Sequence, residues 1–102
     1  MFVQDLIDAL DRLAPLRYAE PWDKVGLMIG SARQTLNGPV LLCIDLTPRV
    51  MDEALAMNAG AIIAYHPPIW KPLERITDDS PRGQVILRAA QAGIAVYAPH
   101  TS

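Results

Sequence analysis

Two stretches of this 102-residue chain follow one plan. The passages NAGAIIAYHP (58–67) and QAGIAVYAPH (91–100) each run from a helix end through Ala-Gly into a short apolar strand, then to a proline and a histidine. Each is preceded by a helix-start signal, Thr47-Pro48 and Ser80-Pro81, in which a capping hydroxyl precedes proline at the first helical position. The intervening residues have helical spacing, with Gly60 and Gly93 at the left-handed positions that end each helix. Strands that alternate with helices predict crossover connections and a mostly parallel sheet with flanking helices, an α/β fold. Two copies are too few for a solenoid.

The rest of the chain fits the same frame. Val3, Leu6, Ile7, Leu10 and Leu13 recur at helical spacing, and Pro15 closes that helix. Residues 18–24 read as a loop. Val25 to Gly30 is a short apolar run bounded by glycine and predicts a strand, and Ser31 to Gly38 a connection. Val40 to Ile44 is continuously apolar, as suits a strand covered on both faces. The length fits one domain, residues 1–102.

Open parallel sheets bind ligands at the carboxyl ends of their strands. Three polar residues fall at such ends: Asp45, His66 and His100, the last two being the only histidines. Two imidazoles and a carboxylate on one rim suit a zinc, iron, manganese or similar divalent ion. They equally suit general acid–base chemistry. A histidine after a strand also serves simply to cap a loop, and Asp45, just before Thr47-Pro48, is placed to help cap the helix. Which strands are neighbours is not written in the pattern.

Other features bound the function. The net charge of −2, without a basic cluster, gives no signal for direct nucleic-acid binding or for a membrane surface. No apolar run has membrane-spanning length, and the acidic start MFVQDLIDAL is unlike a signal peptide. The single cysteine excludes an internal disulfide, and a cytoplasmic location is the expectation. Cys43 lies mid-strand and reads as inert core. The loop Glu20-Pro21-Trp22-Asp23 combines an aromatic with two acids, and Ile69-Trp70-Lys71-Pro72-Leu73 puts apolar bulk directly after His66, beneath a site or in a subunit interface. A glycine-rich phosphate loop and a serine nucleophile elbow are both missing.

Three segments, AEPWDKVGLMIG, CIDLTPRVMDEALAMNAGAIIAYHPPIWKPLERIT and GIAVYAPHTS, resemble in this order the N-terminal signatures of the NGG-one-interacting-factor-three-like family, also called GTP cyclohydrolase 1 type 2 homologs. YHPPIWKPLERIT is the most specific. The resemblance implies a longer protein that forms a homohexameric ring and holds two divalent metal ions in an internal site; this chain is then an incomplete N-terminal part or, alternatively, a short relative that has lost tight metal binding. It implies metal ligands at His66 and His100. Tyr65 stands where many members have a first histidine, and the aspartate of the second signature falls two positions past Ser102. Asp23 matches an Asp of the family's Trp-Asp-Asn signature, with Lys24 in place of Asn. Tyr65, Asp45 and Asp23 are then expected to line or support the site. The implied activities are metal-dependent hydrolysis of a nucleotide-like substrate or, in a different class, a non-enzymatic role in metal handling or as a regulatory scaffold for protein partners. A bare structural domain is the third reading for a chain that supplies two ligands where a divalent ion takes about four to six.

Overall fold

The computed structural model describes residues 1–13 and 25–99. Three helices, α1 (Val3–Leu13), α2 (Pro48–Ala56) and α3 (Pro81–Ala92), and four strands, β1 (Gly26–Ile29), β2 (Val40–Cys43), β3 (Ala61–Ala64) and β4 (Ala95–Ala98), alternate as the sequence predicts. The strands form one sheet in the order β1-β4-β3-β2. β2, β3 and β4 are parallel, and β1 runs antiparallel along β4 with an irregularity between Leu27 and Ile29. Among the described residues, no helix is long and apolar enough to cross a membrane.

The pleat sorts the side chains onto two faces. Ile62 and Val96 turn toward α2 and α3, where Met51, Ala54, Val85, Ile86 and Ala89 close the larger core. Ala61 and Ala95, partners in the β3–β4 register, turn the other way and meet Val3 of α1, flanked by Leu6, Ile7, Leu27 and Val40. Neighbouring alanines leave room for α1 to lie close to the sheet. Its first turn is tied to the 31–36 connection by Val3 N–H to Gln34 O and Gln4 N–H to Ala32 O, both 2.9 Å. A second tie joins α2 and α3, where Arg88 pairs with Asp52 and also reaches Pro48 O.

Both helix starts behave as the sequence predicts. Thr47 Oγ1 accepts from Val50 N–H at 3.2 Å and Ser80 Oγ from Gly83 N–H at 3.0 Å, each with proline in the first turn. Gly93 occupies the left-handed region at φ 71°, as expected. Gly60 does not. Asn58 takes the left-handed conformation after α2, with φ 53°, and Gly60 is required for a different reason. A Cβ at Gly60 would sit 2.9 Å from Gly38 N, so glycine here permits two backbone segments to touch.

The expectation that the Val40–Ile44 strand is covered on both faces also needs correction. β2 is an edge strand. α1 reaches Val40 on its face of the sheet but goes no further along the strand, so Leu42 is 72 % exposed and Ile44 64 %. Continuous apolarity therefore marks a surface for which the described residues hold no cover.

Two measurements check this packing. Glycine-to-alanine in a helix normally stabilises by about 1 kcal/mol. At Gly83 a Cβ would meet Thr77 O at 1.8 Å, so Gly83→Ala should instead lower stability in denaturant unfolding by about 1–3 kcal/mol; a stabilised variant would show that the 77–83 turn yields easily. Leu42→Lys should change stability by less than about 0.5 kcal/mol while reducing self-association in light scattering, since a charge on an exposed edge strand opposes edge pairing.

Candidate metal centre

The β2–β3 register carries two of the expected residues to one place. Cys43 pairs with Ala64, and Asp45 and His66 each lie two positions farther along. Tyr65 N–H donates to Cys43 O and His66 N–H to Ile44 O, both at 2.9 Å, so the two backbones stay joined past the strand ends. At that edge His66 Nδ1 lies 2.7 Å from Asp45 Oδ1. An ionised carboxylate only accepts, so the imidazole donates from Nδ1. In the neutral ring this leaves the Nε2 lone pair free for a metal or a proton. Both side chains are more than half exposed, at 57 % for His66 and 66 % for Asp45.

Asp45 is therefore a partner of His66, and the capping role belongs to Thr47. The Tyr65 ring is tilted against that of His66, with centroids 5.2 Å apart. Cys43 stays on the core side of β2, and its thiol is pushed up by burial and further by the nearby Asp45 carboxylate. It is thus protonated at neutral pH and a poor ligand or nucleophile. Tyr97 is buried, and its hydroxyl has no hydrogen-bond partner among the described residues. Burial raises its pKa, and Asp11 adds to the effect. His100 and Asp23 lie outside the described residues.

Asp45 and His66 open onto a cleft of about 410 Å3 at the carboxyl ends of β2 and β3. The first turns of α2 and α3 form its walls through Pro48, Pro81 and Arg82, and Trp70 closes one side. A larger cavity, about 560 Å3, lies at the opposite end of the sheet beside Gly60 and Gly93, but no ionisable side chain among the described residues lines it. Chemistry therefore favours the smaller cleft, which is also where open parallel sheets take their ligands.

Sequence reasoning missed one contact here. The Arg82 guanidinium carbon lies 4.2 Å from the Trp70 ring centroid, and Lys71 Nζ lies 4.8 Å from it. Arg82 lies twelve positions after Trp70, and no periodicity signals that they meet. The only cue was the bulky loop after His66.

The donor set fits a metal in part. His66 has a carboxylate behind its ring, the arrangement that holds many metal-binding histidines. Among the described residues, no group of three or more His, Cys, Asp or Glu side chains is placed to hold an ion.

Comparison with known proteins agrees along the whole chain. The family model for Duf34/NIF3 (NGG1p interacting factor 3) matches residues 1–102. The chain is 43% identical over 97 residues to NIF3-like protein 1 of Drosophila melanogaster, covering 95% of this chain and 33% of that protein. It is 40% identical over 102 residues to the GTP cyclohydrolase 1 type 2 homolog of Bacillus subtilis (strain 168), covering 97% and 26%. The crystal structure of a Bacillus cereus protein related to NIF3 superposes with a TM-score of 0.90 at 36% identity, over 99% of this chain and 28% of that one. The chain thus spans about a quarter to a third of the length of these relatives. With its fold and its full length both matched, this chain belongs to the Duf34/NIF3 family.

Proposed function

We propose that this chain supplies part of a dinuclear divalent-metal site, with His66 and His100 as ligands and Asp45 holding the His66 ring in place. The observation that carries this reading is the 2.7 Å contact between Asp45 Oδ1 and His66 Nδ1 at the mouth of the cleft. The second ligand, His100, is assigned from the sequence signature alone, and it lies outside the described residues. Tyr65 and, from its sequence signature, Asp23 are assigned to the lining of the site. Zinc, iron and manganese all suit imidazole and carboxylate donors.

Two imidazoles do not complete the four to six positions a divalent ion takes. On this reading residues 1–102 are one part of a longer α/β protein. The remaining ligands come from sequence corresponding to the rest of the relatives' length, assembled as a homo-oligomer, a hexameric ring. Bound there, divalent ions supply Lewis acidity and activate water. The chain's own contribution is to orient His66 through Asp45 and to shape the cleft with Pro48, Trp70 and Arg82. The activity favoured is metal-dependent hydrolysis of a nucleotide-like substrate, in keeping with the name of the Bacillus subtilis relative. A non-enzymatic role, in metal handling or as a scaffold for protein partners, draws support from the uncovered Leu42 and Ile44 on the edge strand.

Metal analysis tests the reading directly. The 102-residue chain should bind manganese or zinc weakly and substoichiometrically, and His66→Ala should abolish what binding there is. Asp45→Asn should weaken it by about 10- to 100-fold, as removal of a histidine's supporting carboxylate typically does. Binding that is indifferent to both substitutions would overturn the assignment.

A further inference from the structure

The cleft beside His66 contains a cation that the metal site does not use. Arg82 stands in the first turn of α3, half-buried, with its guanidinium over the half-exposed face of Trp70. Among the described residues, the two ion pairs are His66–Asp45 and Arg88–Asp52, and neither involves Arg82. Among the described residues, the one carboxylate lining the cleft, Asp45, is already held by His66. Lys71 adds a second positive charge on Trp70. The positive ends of the α2 and α3 dipoles face the same space, since Thr47, Pro48, Pro81 and Arg82 all line it.

A half-buried cation without a carboxylate partner is costly unless something compensates it. An aromatic face compensates in part, through the quadrupole of the ring. It also leaves the guanidinium edge, with its N–H donors, free to engage a second group. A planar fork of donors at the wall of a cleft of this size fits an oxyanion, which arginine binds through two parallel N–H···O bonds. The volume lies in the range of small-molecule sites.

We propose that Arg82, seated on Trp70, is the anion-recognising residue of this cleft. The ligand is a small molecule whose phosphate or carboxylate group pairs with Arg82 while the rest of it lies toward His66. The proposal rests on the metal-site reading for what happens at His66, but the anion contact itself does not require a metal.

Trp70 supplies the readout. In a Trp22→Phe background it is the sole tryptophan, so drawing Arg82 onto an anion should change its fluorescence. The chain is titrated with inorganic phosphate and, separately, with acetate, in EDTA and with sodium chloride holding the ionic strength constant. A saturable phosphate or acetate response is expected, and the stronger of the two identifies the group. Arg82→Ala should weaken it by at least about tenfold, the scale of a lost charge-assisted contact, and Arg82→Lys should fall between. Arg82→Gln, which keeps the side chain's bulk, serves as the second variant if alanine disturbs the fold by circular dichroism. No saturable response to either anion, or equal responses in the parent and the Arg82 variants, would overturn the proposal. Metal content measured on the same proteins separates the two readings. If His66→Ala leaves metal content unchanged, the metal site fails while the EDTA titration still decides Arg82. If metal binds and depends on His66 but the titration is flat, only the Arg82 proposal falls.

Discussion

The pairing of β2 with β3 is the contact on which the rest of the molecule's chemistry depends. These strands are four residues long, and their register is unbroken from Val40↔Ala61 to Cys43↔Ala64. Equal overhangs then bring Asp45 and His66 to the same height. A slip of one residue would send each side chain of the moved strand to the opposite face. Burial prevents such a slip. Ala61, Ile62 and Ala64 are essentially inaccessible, and Ile62 could not exchange faces with Ala61 without losing the α2–α3 core. Hydrophobic packing of the sheet against α2 and α3 therefore positions two exposed polar groups within hydrogen-bond distance.

Magnitudes indicate what that hydrogen bond is for. Ion pairs as exposed as Asp45 and His66 typically contribute only about 0–1 kcal/mol to stability. The fold does not depend on this contact, because the strand register and the backbone hydrogen bonds from Tyr65 and His66 already fix the edge. What the contact does determine is which imidazole nitrogen carries hydrogen and which way the ring faces. A carboxylate that adds little stability yet fixes a tautomer fits an orienting role better than a structural one.

Much of this was legible in the chain, for identifiable reasons. Thr47-Pro48 and Ser80-Pro81 located two helix starts, because a hydroxyl cap followed by proline satisfies local backbone needs whatever the tertiary context. The strand-end positions of Asp45 and His66 followed from short apolar runs. The strand order did not, since Ala61 carries no mark of pairing with both Val40 and Ala95. Gly60 was misassigned because a glycine near a helix end serves either a left-handed turn or a close approach. Only the position of Gly38 distinguishes them. The apolar run in β2 suggested a central strand, but its hydrophobicity reflects an uncovered edge. Trp70 and Arg82 meet through folding of the 67–80 segment, which has no regular structure to predict from.

The two sides of the sheet at β2 also account for each other. α2 and α3 cover one face along the full length of the strands, whereas α1 covers only the end near Val40, Ala61 and Ala95. Leu42 and Ile44 therefore remain exposed on the strand that leads directly to Asp45. Whatever covers them in an assembled protein must approach the rim of the cleft. If His66 holds a metal as proposed, a domain or neighbouring copy docking there is well placed to bring further ligands within its reach, so that burying apolar surface and completing the site occur in the same step.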